Sequence, residues 1–264
     1  MSAEVTSAII AAGVSVVGGI ASFYAQLTFR KRQYLHEERQ SIAERSREAD
    51  TVRSRYRDPL LASAYALQSR IFNIVERRLF EQPAETTVRT NGKSYATEST
   101  LYTIGEFLCW KEILRREIQF LDLGDDNETK RLNICFEGVM EILAQNDTSL
   151  GKAFCLFRME QRAIGELMIE TVDRGSSRAL QAIGPAEFAR RLNTPDFALW
   201  FEPVESALDE LASRKPGALA RLALLQNWIV EFIDQLDPGS VALAGKRRRL
   251  LVPQEFSHLA PKEV

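Results

Sequence analysis

The chain has 264 residues, 45% of them hydrophobic and 27% charged, with a formal net charge of −2 at pH 7. That balance gives no overall field for nucleic acid, and the length suits one large or two small domains. Three widely spaced cysteines, Cys109, Cys135 and Cys155, exclude a disulfide framework and fit reduced thiols in a cytosolic domain.

Residues 5–29 carry no charge between Glu4 and Arg30. At about 1.5 Å per residue such a helix reaches roughly 35 Å, enough for a hydrocarbon core of about 30 Å. The start, Met-Ser-Ala-Glu, is not basic, and the apolar run is too long for a cleaved signal peptide. We therefore expect a transmembrane anchor over 1–29; the alternative is a buried core helix. Arg30, Lys31 and Arg32 follow it and would hold that end in the cytoplasm, in contact with the membrane surface, with the N-terminus outside. Ser7, Ala11, Ser15 and Gly19 recur every four residues along one face. Such a face lets two helices pack closely in lipid and make a homo-oligomer, although membrane helices are rich in small residues in any case.

Residues 30–57 lack Gly and Pro and read as a charged helical stalk with a weak heptad at Leu35, Ile42, Ala49 and Tyr56. A helical bundle domain is expected over 58–237. Asp58 as N-cap and Pro59 at the first helical position start its first helix, which has Leu60, Ala64, Leu67, Ile71 and Ile74 on one face. A polar loop with the turn signal Asn91-Gly92 follows. A strong helix is expected from about Glu98 to Leu123, stopped by Gly124. The next starts near Asp126, with Leu132, Cys135, Phe136, Val139, Ile142 and Leu143 inward. A further helix is expected over about 153–172, then a break at 175–177. Shorter helices punctuated at Pro185, Pro195, Pro203 and Pro216 come after it. The last helix, about 218–236, places Leu222, Leu225, Ile229, Phe232 and Leu236 in phase, and its Arg221, Glu231 and Asp234 argue against a second span. No stretch alternates convincingly like a strand. The fold class is all-α: a transmembrane helix, a stalk, a cytosolic bundle and a basic, flexible tail over 238–264.

Chemistry is harder to find. His36 and His258 are the only histidines and belong to no metal motif, and no P-loop, dinucleotide fingerprint or nucleophile elbow is present. No cofactor or metal is expected; the acidic run Asp122, Asp125, Asp126, Glu128 flanks a helix break, where acids favour the next helix N-terminus. The most distinctive polar stretch is 157–166, where Arg158, Arg162, Glu166 and Glu170 lie four apart. This stripe reads either as a salt-bridged face, with Arg162 reaching Glu166, or, with Arg70 and Arg115, as a weak ligand-binding set for phosphate or carboxylate. Gly165 in the same stretch would admit close approach of another helix. In the tail, Lys246, Arg247, Arg248 and Arg249 read as a contact for anionic lipid, with nucleic acid or plain solvation as rivals.

Tyr56-Arg57-Asp58-Pro59-Leu60-Leu61, Leu67-Gln68-Ser69-Arg70 and the segment 157–166 together resemble a group of bacterial proteins of unknown activity. These have one N-terminal membrane helix and a helical cytosolic part. The resemblance implies architecture and a single pass through the bacterial inner membrane, and it implies nothing about mechanism.

The leading expectation is a membrane-anchored helical protein acting through an unknown protein partner, or as a sensor or effector, at the cytoplasmic face. The alternatives are an enzyme or ligand-binding protein for a phosphorylated or lipid substrate, and a membrane-perturbing assembly built from the anchors.

Overall fold

In the computed structural model, residues 55–82, 93–117, 126–174, 177–211, 216–242 and 245–261 are described. The expected anchor, its small-residue face, the flank Arg30 to Arg32 and nearly all of the stalk lie outside these residues. So do the turn signal at Asn91-Gly92 and Asp122 and Asp125 of the acidic run. Among the described residues no helix is long and apolar enough to cross a membrane.

The domain is mostly helical. Helix α1 spans 55–75, and a short 3-10 turn follows at Leu79–Glu81. Helix α2 is Tyr95–Glu117, α3 is Asp126–Ala144 and α4 is Arg158–Leu167. Strands β1, Ile169–Arg174, and β2, Ser177–Ala182, form an antiparallel hairpin. Helices α5, Pro185–Leu192, α6, Pro195–Leu211, and α7, Pro216–Leu236, complete the bundle. A C-terminal strap ends in a 3-10 turn, Gln254–Leu259.

Among the helix pairs whose contacts are described, α3 with α7 and α2 with α4 pack most extensively. Phe107 of α2, Phe136 of α3 and Phe232 of α7 meet at ring centroids 5.1–6.3 Å apart. A second aromatic group, Phe188, Phe197, Phe201 and Tyr102, joins α5 and α6 to α2. Phe232 is 1% exposed, as its phase predicts.

Arg221 is fully buried in α7 and donates to the carbonyls of Ile142 at 2.8 Å, Gln145 at 2.7 Å and Gly151 at 2.8 Å. The first two lie at the C-terminus of α3, where a helix leaves its last carbonyls unpaired and carries partial negative charge, and Gly151 follows in the loop after it. Burial pulls the guanidinium pKa below its usual range. The three carbonyls and the helix dipole stand in for a carboxylate partner.

Several expected boundaries are corrected. Residues 55–58 are already helical, so Pro59 lies inside α1 and Asp58 does not start it. Tertiary contacts hold that first turn: the Tyr56 hydroxyl donates to Glu117 at 2.7 Å, and Arg57 Nε donates to the Leu236 carbonyl at 2.9 Å. Helix α2 starts three residues early because the Ser94 hydroxyl accepts the Thr97 N–H at 3.1 Å, a side-chain cap. Helix α6 runs through Pro203 without a break. Buried Phe201, Val204, Ala207 and Leu208 give that helix an apolar face, which outweighs the one backbone bond that proline removes.

The expected helix over 153–172 is the largest miss. Only Arg158–Leu167 is helical, with the Phe157 N–H held by the Glu160 carboxylate at 2.7 Å. The chain then turns into the hairpin, paired from Ile169↔Ala182 to Arg174↔Ser177, and the Ile183 N–H bonding the Met168 carbonyl extends it. Two residues connect the strands, the connection length most common in hairpins. Ile164 and Met168 continue a helical period, which hides the β-branched Ile169, Thr171 and Val172 behind it.

The tail is also corrected. Rather than hanging free, the described part from Gly245 onward lies against α1 and α7. The Asn227 amide donates to the Leu250 carbonyl at 2.9 Å and accepts its N–H at 2.8 Å, as a neighbouring strand would. Gln68 accepts the Arg248 N–H at 3.1 Å, and Leu250 and Phe256 are buried.

Candidate functional site

Part of the expected arginine set does assemble, where α2 crosses α4. Glu112 of α2 is 1% exposed and sits at the centre. Arg115 clasps it with two bonds of 2.8 and 2.6 Å, and Arg116 Nε adds a third at 2.9 Å. Arg116 also bonds Glu166, and Arg162 Nε lies 4.0 Å from Glu112. Burial acts to raise the Glu112 carboxyl, but bonds and charge from Arg115 and Arg116 outweigh it and bring it down to about 2. Gly165 makes the crossing possible, since a Cβ there would lie 2.5 Å from the Leu108 carbonyl oxygen.

The other expected members do not join. Arg158 pairs with Glu137 of α3 at 2.9 Å, and Arg70 belongs to α1. Glu166 pairs with Arg116 instead of Arg162, and Glu170 lies on β1, where the Gln181 amide donates to it at 2.7 Å. A phosphate needs unoccupied guanidinium forks; those of Arg115 and Arg116 are directed at protein carboxylates. The set locks two helices together.

The basic cluster is likewise engaged. Arg247 bonds Asp234 and lies 3.3 Å from Asp237, Arg248 stacks over Phe72 at 4.4 Å, and Arg249 donates to Glu231 at 2.7 Å. Three of its four cations thus fasten the strap to the bundle, and Lys246 is exposed.

One feature with room for a ligand among the described residues is a mostly apolar cavity of about 310 Å³ between α3 and α7, closed on one side by the strap. Its apolar wall comes from Ile134, Cys135, Ile142, Trp228 and Leu259. Gly138 lets the indole lie flat on α3, since a Cβ there would come within 2.4 Å of the ring. The Trp228 N–H donates to the Leu259 carbonyl at 2.8 Å, and this bond latches the strap over the opening. The Cys135 thiol is pushed up to about 12 by burial and by Glu231 and Asp234, so at neutral pH it is apolar lining and no nucleophile. Gln145 and Gln235 also line the space, and neither side chain bonds another described residue.

Sequence reasoning places Cys135 and Ile142 on the inner face of α3 but has no signal for a void. Gly138 four residues before Ile142, and a tryptophan in the last helix, are the traces it leaves. Among the described residues no group of three or more His, Cys, Asp or Glu side chains could hold a metal ion. No family model matches this chain, and no curated protein or solved structure matches it either.

Proposed function

We propose that the chain is a membrane-tethered sensor whose apolar N-terminal helix holds the helical domain at the cytoplasmic face of a bacterial inner membrane. The domain reads a small ligand and passes its state to a protein partner. The observation that carries this reading is the strap: it closes the cavity through Leu259, and it also carries Leu251, 97% exposed, and the exposed Lys246. A segment placed between a ligand space and solvent has differential contacts with an empty and a filled site, as a population shift requires. Uncharged residues 5–29 with Arg30, Lys31 and Arg32 behind them support the tether and its orientation.

A photo-crosslinker in place of Leu251, activated in cells of the host, tests this. The full chain should sediment with membranes and give a discrete adduct with another protein. Recovery in the soluble fraction, or no adduct, overturns the reading.

A further inference from the structure

We infer that the cavity between α3 and α7 is a binding site for a small, neutral, mostly apolar molecule with one hydrogen-bonding end, about the size of a bicyclic aromatic. This rests on the sensor reading and names what is sensed.

Size comes first. An apolar cavity of about 150 Å³ accepts benzene, and ligand sites begin at about 300 Å³. At about 310 Å³ the space fits two fused rings. The lining sets the polarity. Ile134, Cys135, Ile142 and Leu259 offer no charge, and Trp228 offers a flat indole held in place by its bond to Leu259. An offset-stacked ring is the natural companion of such a face.

The charges argue for a neutral guest. At the rim Arg131 and Glu141 are opposite in sign. Glu231 is already bonded to Arg249, and His258 lies 3.1 Å from the Glu255 carbonyl. An ion entering would leave water for a mostly apolar wall, where Arg131 and Glu141 oppose each other and favour neither sign, which is unfavourable. The hydrogen-bonding end follows from the two glutamines. Gln145 and Gln235 line the space, neither side chain bonds another described residue, and each amide supplies a donor and an acceptor. One hydroxyl or carbonyl on the guest would meet them.

The probe is 2-naphthol, with naphthalene as the apolar control and naphthalene-2-sulfonate as the charged one. Each is titrated into the full chain in nanodiscs and followed by tryptophan fluorescence. Uptake by the lipid is read from two cavity-filling variants in the same discs, Ile134→Trp and Cys135→Phe. Ile134 is 50% exposed, so its replacement does not disturb the core, and circular dichroism verifies the fold of both.

The wild type should bind 2-naphthol saturably at one site, and the filled variants at least about tenfold more weakly. The double variant Gln145→Ala, Gln235→Ala should lose about tenfold for 2-naphthol and little for naphthalene. Equal uptake by wild type and filled variants overturns the inference, and so does sulfonate binding as tightly as the naphthol. The Leu251 adduct is read with no probe present, so failure here and failure of the sensor reading are told apart.

Discussion

Glu112 shows how a charge is kept inside this domain. The carboxylate is buried yet ionised because Arg115 and Arg116 spread three bonds over its two oxygens. Its folded pKa of about 2 lies below the ordinary 4.5, so the folded state holds fewer protons than the unfolded one between those values. The stabilisation it supplies is therefore complete above about pH 4.5 and is lost as pH falls toward about 2. Glu112→Gln should cost roughly 1.5–3 kcal/mol near neutral pH, toward the low end because Arg115 and Arg116 are partly solvated. The variant should also lose less stability than wild type on acidification. Urea midpoints for both, from neutral pH down to about pH 3, measure this; parallel acid slopes would show that the clasp contributes nothing.

The same residue shows how far local reading goes. Spacing in the sequence singles out Arg158, Arg162, Glu166 and Glu170; Arg162 faces the Glu112 carboxylate and Glu166 joins it through Arg116, while Arg158 and Glu170 pair elsewhere and Arg70 stays apart on α1. Their partners were hidden. Glu112 and Arg116 belong to a helix about fifty residues away, and no pattern within α4 says which neighbour its stripe will face. Arg221 is a like case: its charge within an apolar helix marks it as exceptional, while the three carbonyls that hold it come from 142–151.

At the scale of elements, α2 and α4 depend on the absence of a side chain. A Cβ at Gly165 would lie 2.5 Å from the Leu108 oxygen and 3.0 Å from the Glu112 Cβ, and backbone does not give way as a flexible side chain does. Gly165→Ala should destabilise the protein by roughly 1–3 kcal/mol through overpacking. Gly184→Ala is the control, because nothing lies within 4 Å of an added Cβ there. Thermal melts of the two variants should separate clearly. Equal melting temperatures would mean that the crossing has slack.

Helix existence was legible where the apolar period is long: α2, α3 and α7 have the faces that their leucines, isoleucines and phenylalanines predict. Element type failed after Leu167. A six-residue strand offers three inward positions, too few to outweigh a helical period arriving from α4. Prolines were read rightly at some positions and wrongly at others. Pro185 and Pro195 do open helices, where a missing N–H costs nothing, but Pro59 and Pro203 sit inside helices whose packing pays for it.

At the scale of the molecule, the strap fastens residues 245–261 to α1 and α7. Leu250 and Phe256 are anchors worth roughly 1.5–3 kcal/mol each when fully buried. Ending the chain at Ser240 removes both, together with the Arg247 and Arg249 pairs and the latch on Trp228. The shortened chain should melt at lower temperature and show Trp228 in a wetter environment by red-shifted fluorescence. An unaltered melt and spectrum would make the strap a passenger, and the cavity would then lack its third wall.

The sequence by itself determined the helical class of this domain, the identity of most of its core and the residues whose charge is out of place. Those follow from local chemistry: period, caps and the cost of burying a polar group. Only the tertiary structure decided that a basic tail is docked, that an arginine stripe is a clasp and that a void lies under Trp228. A docked tail depends on Asn227 and Gln68 meeting backbone from distant parts of the chain. A void depends on Gly138 lacking a Cβ at the one place where an indole crosses. Both are properties of pairs far apart in sequence, which periodicity along a single segment does not encode.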